Sequence, residues 1–264
     1  MPGVNFRPRV LRAIQPTLDE GFLDIRPRVI EHARPLSHHR IDEQQCRKLA
    51  ARNYKIAHRK LDVLDEKGFV ILRDYEGPAI PQAEWEGLEY VDWKSGGDTN
   101  FAPLASALGE MECAGFWDHG KPDKDGIWTK NAAQCPTLVQ WVESVGANFG
   151  RVRIIKLNPN TEAEALTRNL HLDDNNRLNP DGEAWVVRVW LQLSHDPDSY
   201  MILREDRDDP STESRIAMPR NRQLVVDSQR LWHAAWHPGP EPRYALITSF
   251  ESGPALQRWI ESQS

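Results

Sequence analysis

Apolar residues recur at two spacings along this chain and divide it into helical and strand-like stretches. Ile41–Glu66 reads as a long helix, with Leu49, Ile56, Leu61 and Leu64 among its apolar positions and Gly68 just beyond its end. Phe69-Val70-Ile71-Leu72 then reads as a strand. From Gly77 to Lys130 glycine, proline and charge break the pattern, which predicts loops with a short helix near Pro103–Met111. A further helix starts near Pro136: Leu138, Trp141, Val142, Val145 and Phe149 keep helical spacing, and Gly150 is placed to end it. Strand-like sequence begins at Val152-Arg153-Ile154-Ile155-Lys156-Leu157 and returns at Trp185–Leu193, Gln223–Asp227 and Tyr244–Thr248. Arg204–Arg222 is crowded with charge and predicts a surface excursion between strands, with a lid as one use for it.

Length and composition narrow the class. At 264 residues the chain suits one well-buried domain. Its parts are an Arg/Pro-rich segment over 1–40, a helical and loop support region over 41–150, and a strand-rich core over 151–251. Arg7-Pro8-Arg9-Val10 is echoed at Arg26-Pro27-Arg28-Val29, too briefly for a repeat fold. No apolar stretch is long enough to span a bilayer and Met1–Arg7 lacks an apolar signal core, so a soluble, cytoplasmic protein is expected. Cys46, Cys113 and Cys135 are too scattered for a disulfide framework or a thiolate metal site. A net charge of −6 gives no electrostatic footprint for nucleic acid or an anionic membrane. Trp185, Trp190, Trp232 and Trp236 fall near the candidate chemistry below, where they either wall a pocket or fill the core.

That chemistry begins at His171-Leu172-Asp173. In an extended segment side chains repeat with period two, so His171 and Asp173 project from one face as neighbouring metal ligands. The pair alone is weak, because with nine histidines one such spacing is expected about once by composition. His233, between the strand-like Gln223–Asp227 and Tyr244–Thr248, is suited to supply a third ligand; two imidazoles and a carboxylate would hold one face of a metal and leave the other open. His237 competes for that role at four-residue spacing, and otherwise reads as a polar rim residue. Arg188 shares a strand face with Val186, Trp190 and Gln192, opposite Val187, Val189, Leu191 and Leu193. It either points into the mouth of the fold toward a substrate carboxylate or sits at an exposed edge. Asn175, with Asp174 and Asn176, reads as an ordinary turn or as lining for a substrate entrance.

The order and separation of His171, Asp173, His233 and Arg243 resemble the Fe(II)/2-oxoglutarate-dependent dioxygenases. The proline-rich Pro238-Gly239-Pro240-Glu241-Pro242 and the strand Arg188-Val189-Trp190-Leu191 are similar to the branch of aspartyl/asparaginyl β-hydroxylases and proline cis-hydroxylases. The helix, Gly68 and first strand also look like the opening unit of many members. The resemblance implies a mainly β fold with flanking helices, a double-stranded β-helix or cupin-like jelly roll of roughly eight strands. It implies Fe(II) on His171, Asp173 and His233, 2-oxoglutarate and O2 as co-substrates, and Arg243 on the far carboxylate of 2-oxoglutarate, with Arg188, Trp190 and Asn175 toward the substrate. The implied reaction hydroxylates a C–H bond of a small polar, amino-acid-like molecule and releases succinate and CO2. A residue in a peptide or protein is the alternative substrate, and an inactive jelly-roll binding module or a cupin-type isomerase or hydrolase are the alternative classes. Three positions depart from the pattern. Ala245 stands where many members carry serine or threonine, Trp190 where the branch often has histidine, and Ser249 where nucleic-acid demethylases carry a second arginine. Asp173 argues against the halogenating relatives, which lack the carboxylate ligand.

Overall fold

The structure is a computed structural model and describes residues 61–92, 99–160, 168–178 and 185–264. The chain meets β1 (Phe69–Leu72), β2 (Val91–Asp92), β3 (Thr99–Ser106) and β4 (Ile127–Trp128) before the core strands. Those are β5 (Phe149–Leu157), β6 (Val186–Gln192), β7 (Tyr200–Arg204), β8 (Ser214–Ala217), β9 (Gln223–Val226), β10 (Trp232–Trp236) and β11 (Arg243–Glu251). All pairings are antiparallel. The larger sheet runs β1-β9-β6-β11-β5-β3-β2, with β4 beside β3, and the smaller runs β10-β7-β8. A bridge between His171 and His233 carries the smaller sheet one position further.

Followed along the chain, β5 lies in the large sheet, His171 in the small, β6 in the large, β7 and β8 in the small, then β9, β10 and β11 alternate. This winding between two facing sheets is the double-stranded β-helix, a jelly roll. The alternation read for β6 holds: Val187, Val189 and Leu191 enter one core, whereas Trp190 enters another. The first core lies between the outer face of the large sheet and three helices, α1 (Ala83–Glu86), α2 (Pro136–Ser144) and α3 (Pro254–Gln263), through Trp85, Trp141 and Trp259 among others. The second lies between the sheets, where Trp190, Leu224 and Ile247 meet Met201 and Leu203. Both faces of β6 are therefore buried. The Glu84 carboxylate accepts from the backbone N–H of Thr137 and Leu138, capping the start of α2 from α1.

Several expectations change. Pro103–Met111 is not helical; residues 99–106 form β3, which pairs along β5 with a register shift between Pro103 and Ala105. Proline is tolerated at such an irregularity, and burial of both faces removes the alternation that marks a strand. The helix from Pro136 ends at Ser144, because Gly146 adopts a left-handed φ of 71° that stops it before Phe149, and both Phe149 and Gly150 lie in β5. The charged excursion over Arg204–Arg222 contains β8, which pairs with β7 in the small sheet. Residues 1–60 lie outside the described residues, and with them the Arg/Pro-rich segment and most of the helix read over Ile41–Glu66; Asp62–Leu64 form one 3₁₀ turn. Where described, the support region also supplies β1 to β4. No described helix is long and apolar enough to cross a membrane.

Candidate metal centre

The small sheet brings two histidines together. His171 and His233 exchange backbone hydrogen bonds of 3.2 and 2.9 Å, and the Asp173 N–H donates to the Ser228 carbonyl at 2.9 Å. One ligand atom from each of His171, Asp173 and His233 lies within 4.8 Å of the others. The His171 Nδ1–H donates to the Asn169 carbonyl at 2.9 Å and that of His233 to the Leu231 carbonyl at 3.1 Å. A carbonyl can only accept, so the proton sits on Nδ1 in both rings and each Nε2 lone pair is left for a metal. Burial pushes the His233 imidazole down to about 4, despite the opposing pull of Asp173, and keeps it neutral at neutral pH. His171 is exposed and His233 buried, so the cluster stands at a solvent-facing rim.

The carboxylate is held from behind. Arg188 Nε donates to Asp173 Oδ2 at 2.9 Å, and Asn175 Nδ2 reaches the same oxygen at 3.4 Å, leaving Oδ1 toward the histidines. Burial alone would raise the Asp173 pKa, but Arg188, His233 and His171 with the Arg188 hydrogen bond hold it well below the usual carboxylate range. The other two amino groups of Arg188 donate to Ser249 Oγ and, at 2.6 Å, to Asn175 Oδ1. Ser249 in turn donates to Asp123 Oδ2 at 2.8 Å, and Arg188 Nη1 lies 3.7 Å from that carboxylate. Arg188 is 1% exposed and sits between the buried carboxylate of Asp123 and the part-buried one of Asp173, at an interior position of the sheet and not at an edge. Asp123 reaches it through a close backbone approach: a Cβ on Gly150 would fall 2.1 Å from the Asp123 carbonyl oxygen.

A cavity of about 710 Å³ opens on the cluster. It is lined by all three ligand candidates, by Arg188, Asn175 and Trp190, and by Arg243. Arg243 is buried, and its Nε and Nη2 both donate to Gln192 Oε1, at 3.1 and 3.0 Å. Burial lowers its pKa to about 10, which still leaves it charged at neutral pH. The Trp190 ring meets the His233 ring edge-on at 6.0 Å. Of the four tryptophans near the chemistry only Trp190 lines the cavity; Trp185 packs in the helix-side core and Trp232 against the outer face of the small sheet. His237 stands apart as a buried latch and not a rim residue. Its Nε2–H donates to the Glu241 carbonyl at 2.6 Å and its Nδ1 accepts from Ser199 Oγ at 2.7 Å, fixing the proline-rich turn ahead of Arg243.

Four participants escape the sequence reading. Arg151 and Arg153 line the cavity, and their period-two spacing in a run of strand formers was the available signal. Gln192 shares the Arg188 face but gave no hint that it would hold Arg243. Asp123 lies in a stretch without periodicity and gave none.

No family model matches the chain, and none of the curated proteins does. Among solved structures it is similar to a 2OG-Fe(II) oxygenase family oxidoreductase from Burkholderia pseudomallei, at 14% identity over 76% of this chain and 93% of that one, with a TM-score of 0.48. A prolyl hydroxylase from Trichoplax adhaerens, in complex with a hypoxia inducible factor peptide fragment, gives 12% identity over 84% and 97% of the two chains and a TM-score of 0.42. HygX from Streptomyces hygroscopicus, with nickel and 2-oxoglutarate bound, gives 12% over 73% and 86% and 0.41. The strand order and register above carry the fold.

Proposed function

We propose that the chain is an Fe(II)/2-oxoglutarate-dependent dioxygenase that hydroxylates a C–H bond of a small polar, amino-acid-like substrate. The observation that carries this reading is the meeting of His171, Asp173 and His233 in one cavity with the buried guanidinium of Arg243. The donor set fits Fe(II): two imidazole Nε2 lone pairs and one carboxylate oxygen would bind from one side and leave the cavity side open. With iron, 2-oxoglutarate and O2 bound, the site would supply an oxidant strong enough for an unactivated C–H bond, releasing succinate and CO2.

The chain's own share is binding and orientation. Asn169 and Leu231 fix the imidazole tautomers, and Arg188 with Asn175 keeps one Asp173 oxygen occupied so that the other faces the metal. Gln192 orients Arg243, whose Nη1 makes no bond among the described residues and would hold the distal carboxylate of 2-oxoglutarate. Trp190 walls the cavity beside His233 and would keep water from the reacting centre.

The test is oxygen-dependent conversion of 2-oxoglutarate to succinate by the Fe(II)-loaded chain, followed with candidate amino-acid-like substrates and a mass screen for gain of one oxygen. Turnover that stops in Asp173→Ala is expected. Turnover that survives that substitution would contradict the ligand assignment.

A further inference from the structure

A carboxylate outside the metal cluster is linked to it through two buried side chains. Arg188 and Ser249 stand directly opposite each other where β6 pairs with β11, and the Arg188 Nη1–H donates to Ser249 Oγ. That hydroxyl gives its own proton to Asp123 Oδ2 at 2.8 Å, since a carboxylate can only accept. At its other end Arg188 donates from Nε to Asp173 Oδ2 at 2.9 Å, while Oδ1 of the same carboxylate lies 3.9 Å from His171 Nε2. Both hydrogen bonds of Arg188 run outward, so one guanidinium serves a proposed metal ligand on one side and Asp123 on the other.

Asp123 is held in place by contacts that do not involve the metal cluster. Its Oδ1 accepts from the Arg151 N–H at 2.7 Å, and Gly150 lets its backbone lie against β5. The neighbouring Lys124 pairs with Glu251 at 3.0 Å, and the Gly126 N–H donates to the Phe149 carbonyl at 2.8 Å. The loop is thus fastened to β5 and β11 and presents its carboxylate to Ser249 from a fixed position. Asp123, Ser249 and Arg188 are all buried, where charge-assisted hydrogen bonds are weakly screened and polarise one another. A guanidinium divided between two carboxylates draws less charge from each than one that rests on a single partner.

We propose that Asp123 is a positioning residue for the metal: acting through Ser249 and Arg188, it sets the orientation of Asp173 and the charge that Asp173 Oδ1 offers the ion. The proposal deepens the dioxygenase reading and rests on it for the identity of that ion as iron. Without a negative charge at position 123, the Arg188 cation would rest on Asp173 alone, and a carboxylate so neutralised would hold a divalent ion more weakly. Without the Ser249 hydroxyl, Arg188 Nη1 loses its acceptor, and the guanidinium can turn out of line with Asp173. Asn175 steadies the remaining amino group of Arg188 at 2.6 Å but carries no charge, so it cannot replace Asp123.

The test titrates the full chain with Mn(II) by calorimetry and then, loaded with Fe(II) in the absence of air, with 2-oxoglutarate by visible absorption. Asp123→Asn keeps the size of the side chain and an oxygen for the Arg151 N–H, and should weaken Mn(II) binding about tenfold. Ser249→Ala keeps both charges and should weaken it at least about threefold. Glu251→Gln removes one negative charge from a partner of the same loop outside this relay, and should stay within about twofold of wild type. The band formed by Fe(II) and 2-oxoglutarate supplies a readout that a merely structural role would not move. It should shift to shorter wavelength in Asp123→Asn, because a less donating carboxylate leaves Fe(II) harder to oxidise, whereas partial unfolding lowers the band without moving it. Mn(II) affinity within about twofold of wild type in both Asp123→Asn and Ser249→Ala, or an equal loss in Glu251→Gln, overturns the positioning role. Should Asp123→Asn not fold, Ser249→Ala decides by the same limits. If Mn(II) binding follows this pattern but wild type gives no band with Fe(II) and 2-oxoglutarate, the dioxygenase reading fails and the positioning role stands. A wild-type band with unchanged affinity and band position in both variants does the reverse.

Discussion

Arg188 and Arg243 look alike in sequence, each an arginine in a strand, and the structure separates their work. Arg188 neutralises Asp173 and Asp123 from a fully buried position. Removing it leaves two carboxylates without their cation, so Arg188→Ala should cost about 3–5 kcal/mol in urea unfolding. A loss below about 1 kcal/mol would contradict this role. Among the described residues the Arg243 guanidinium is hydrogen-bonded only to Gln192, and Arg243 lines the cavity. Arg243→Ala should leave the fold intact and weaken 2-oxoglutarate binding by about 2–4 kcal/mol, seen as a higher 2-oxoglutarate requirement for succinate release. The candidate metal ligands can be picked out because period-two spacing survives in an extended segment, and the ligand atoms of His171 and Asp173 lie close together. The same alternation marks Arg151 and Arg153, so their place in the cavity was available to the same reasoning. Asp123 was not, because its position depends on a loop lying on β5 and not on any local pattern.

Among elements, β6, β9 and β11 are readable as runs of strand formers, and β11 extends the read segment at both ends, to Arg243–Glu251. β3 is unreadable for a physical reason: with both faces buried it loses polar alternation, and Pro103 imitates a helix start. β5 shows how one backbone approach ties the elements to the site. Gly150 lets the Asp123 segment lie against β5, where Asp123 Oδ1 accepts from the Arg151 N–H at 2.7 Å and Oδ2 from Ser249. Gly150→Ala puts a methyl group into that backbone contact, so the Asp123 segment must shift. The expected loss is about 1–3 kcal/mol of stability by urea unfolding, with weaker metal binding by calorimetry. Metal affinity equal to that of the wild type would disconnect this loop from the Asp173 carboxylate.

At the scale of the whole molecule the two sheets face each other across a cavity that collects buried charge, and stability must therefore follow pH. The His233 ring takes a proton near 6.5 when unfolded but only at about 4 when folded. Its contribution is complete above about pH 6.5 and is lost as pH falls toward about 4, a change of about 3 kcal/mol. His237, also pushed down by burial, acts in the same direction. Metal-free protein should lose unfolding free energy between pH 7.5 and 5, and His233→Gln should flatten that slope; equal stability at both pH values would rule out a buried neutral imidazole. The central claim is that three side chains hold one iron atom open to a chelating keto acid above Arg243. Its most direct measurement is the visible absorption of the air-free chain titrated with Fe(II) and then 2-oxoglutarate. A weak charge-transfer band that forms only with both, vanishes in Asp173→Ala and needs more 2-oxoglutarate in Arg243→Ala is the predicted result. No band in the wild type, or an unchanged band in Asp173→Ala, would contradict the account.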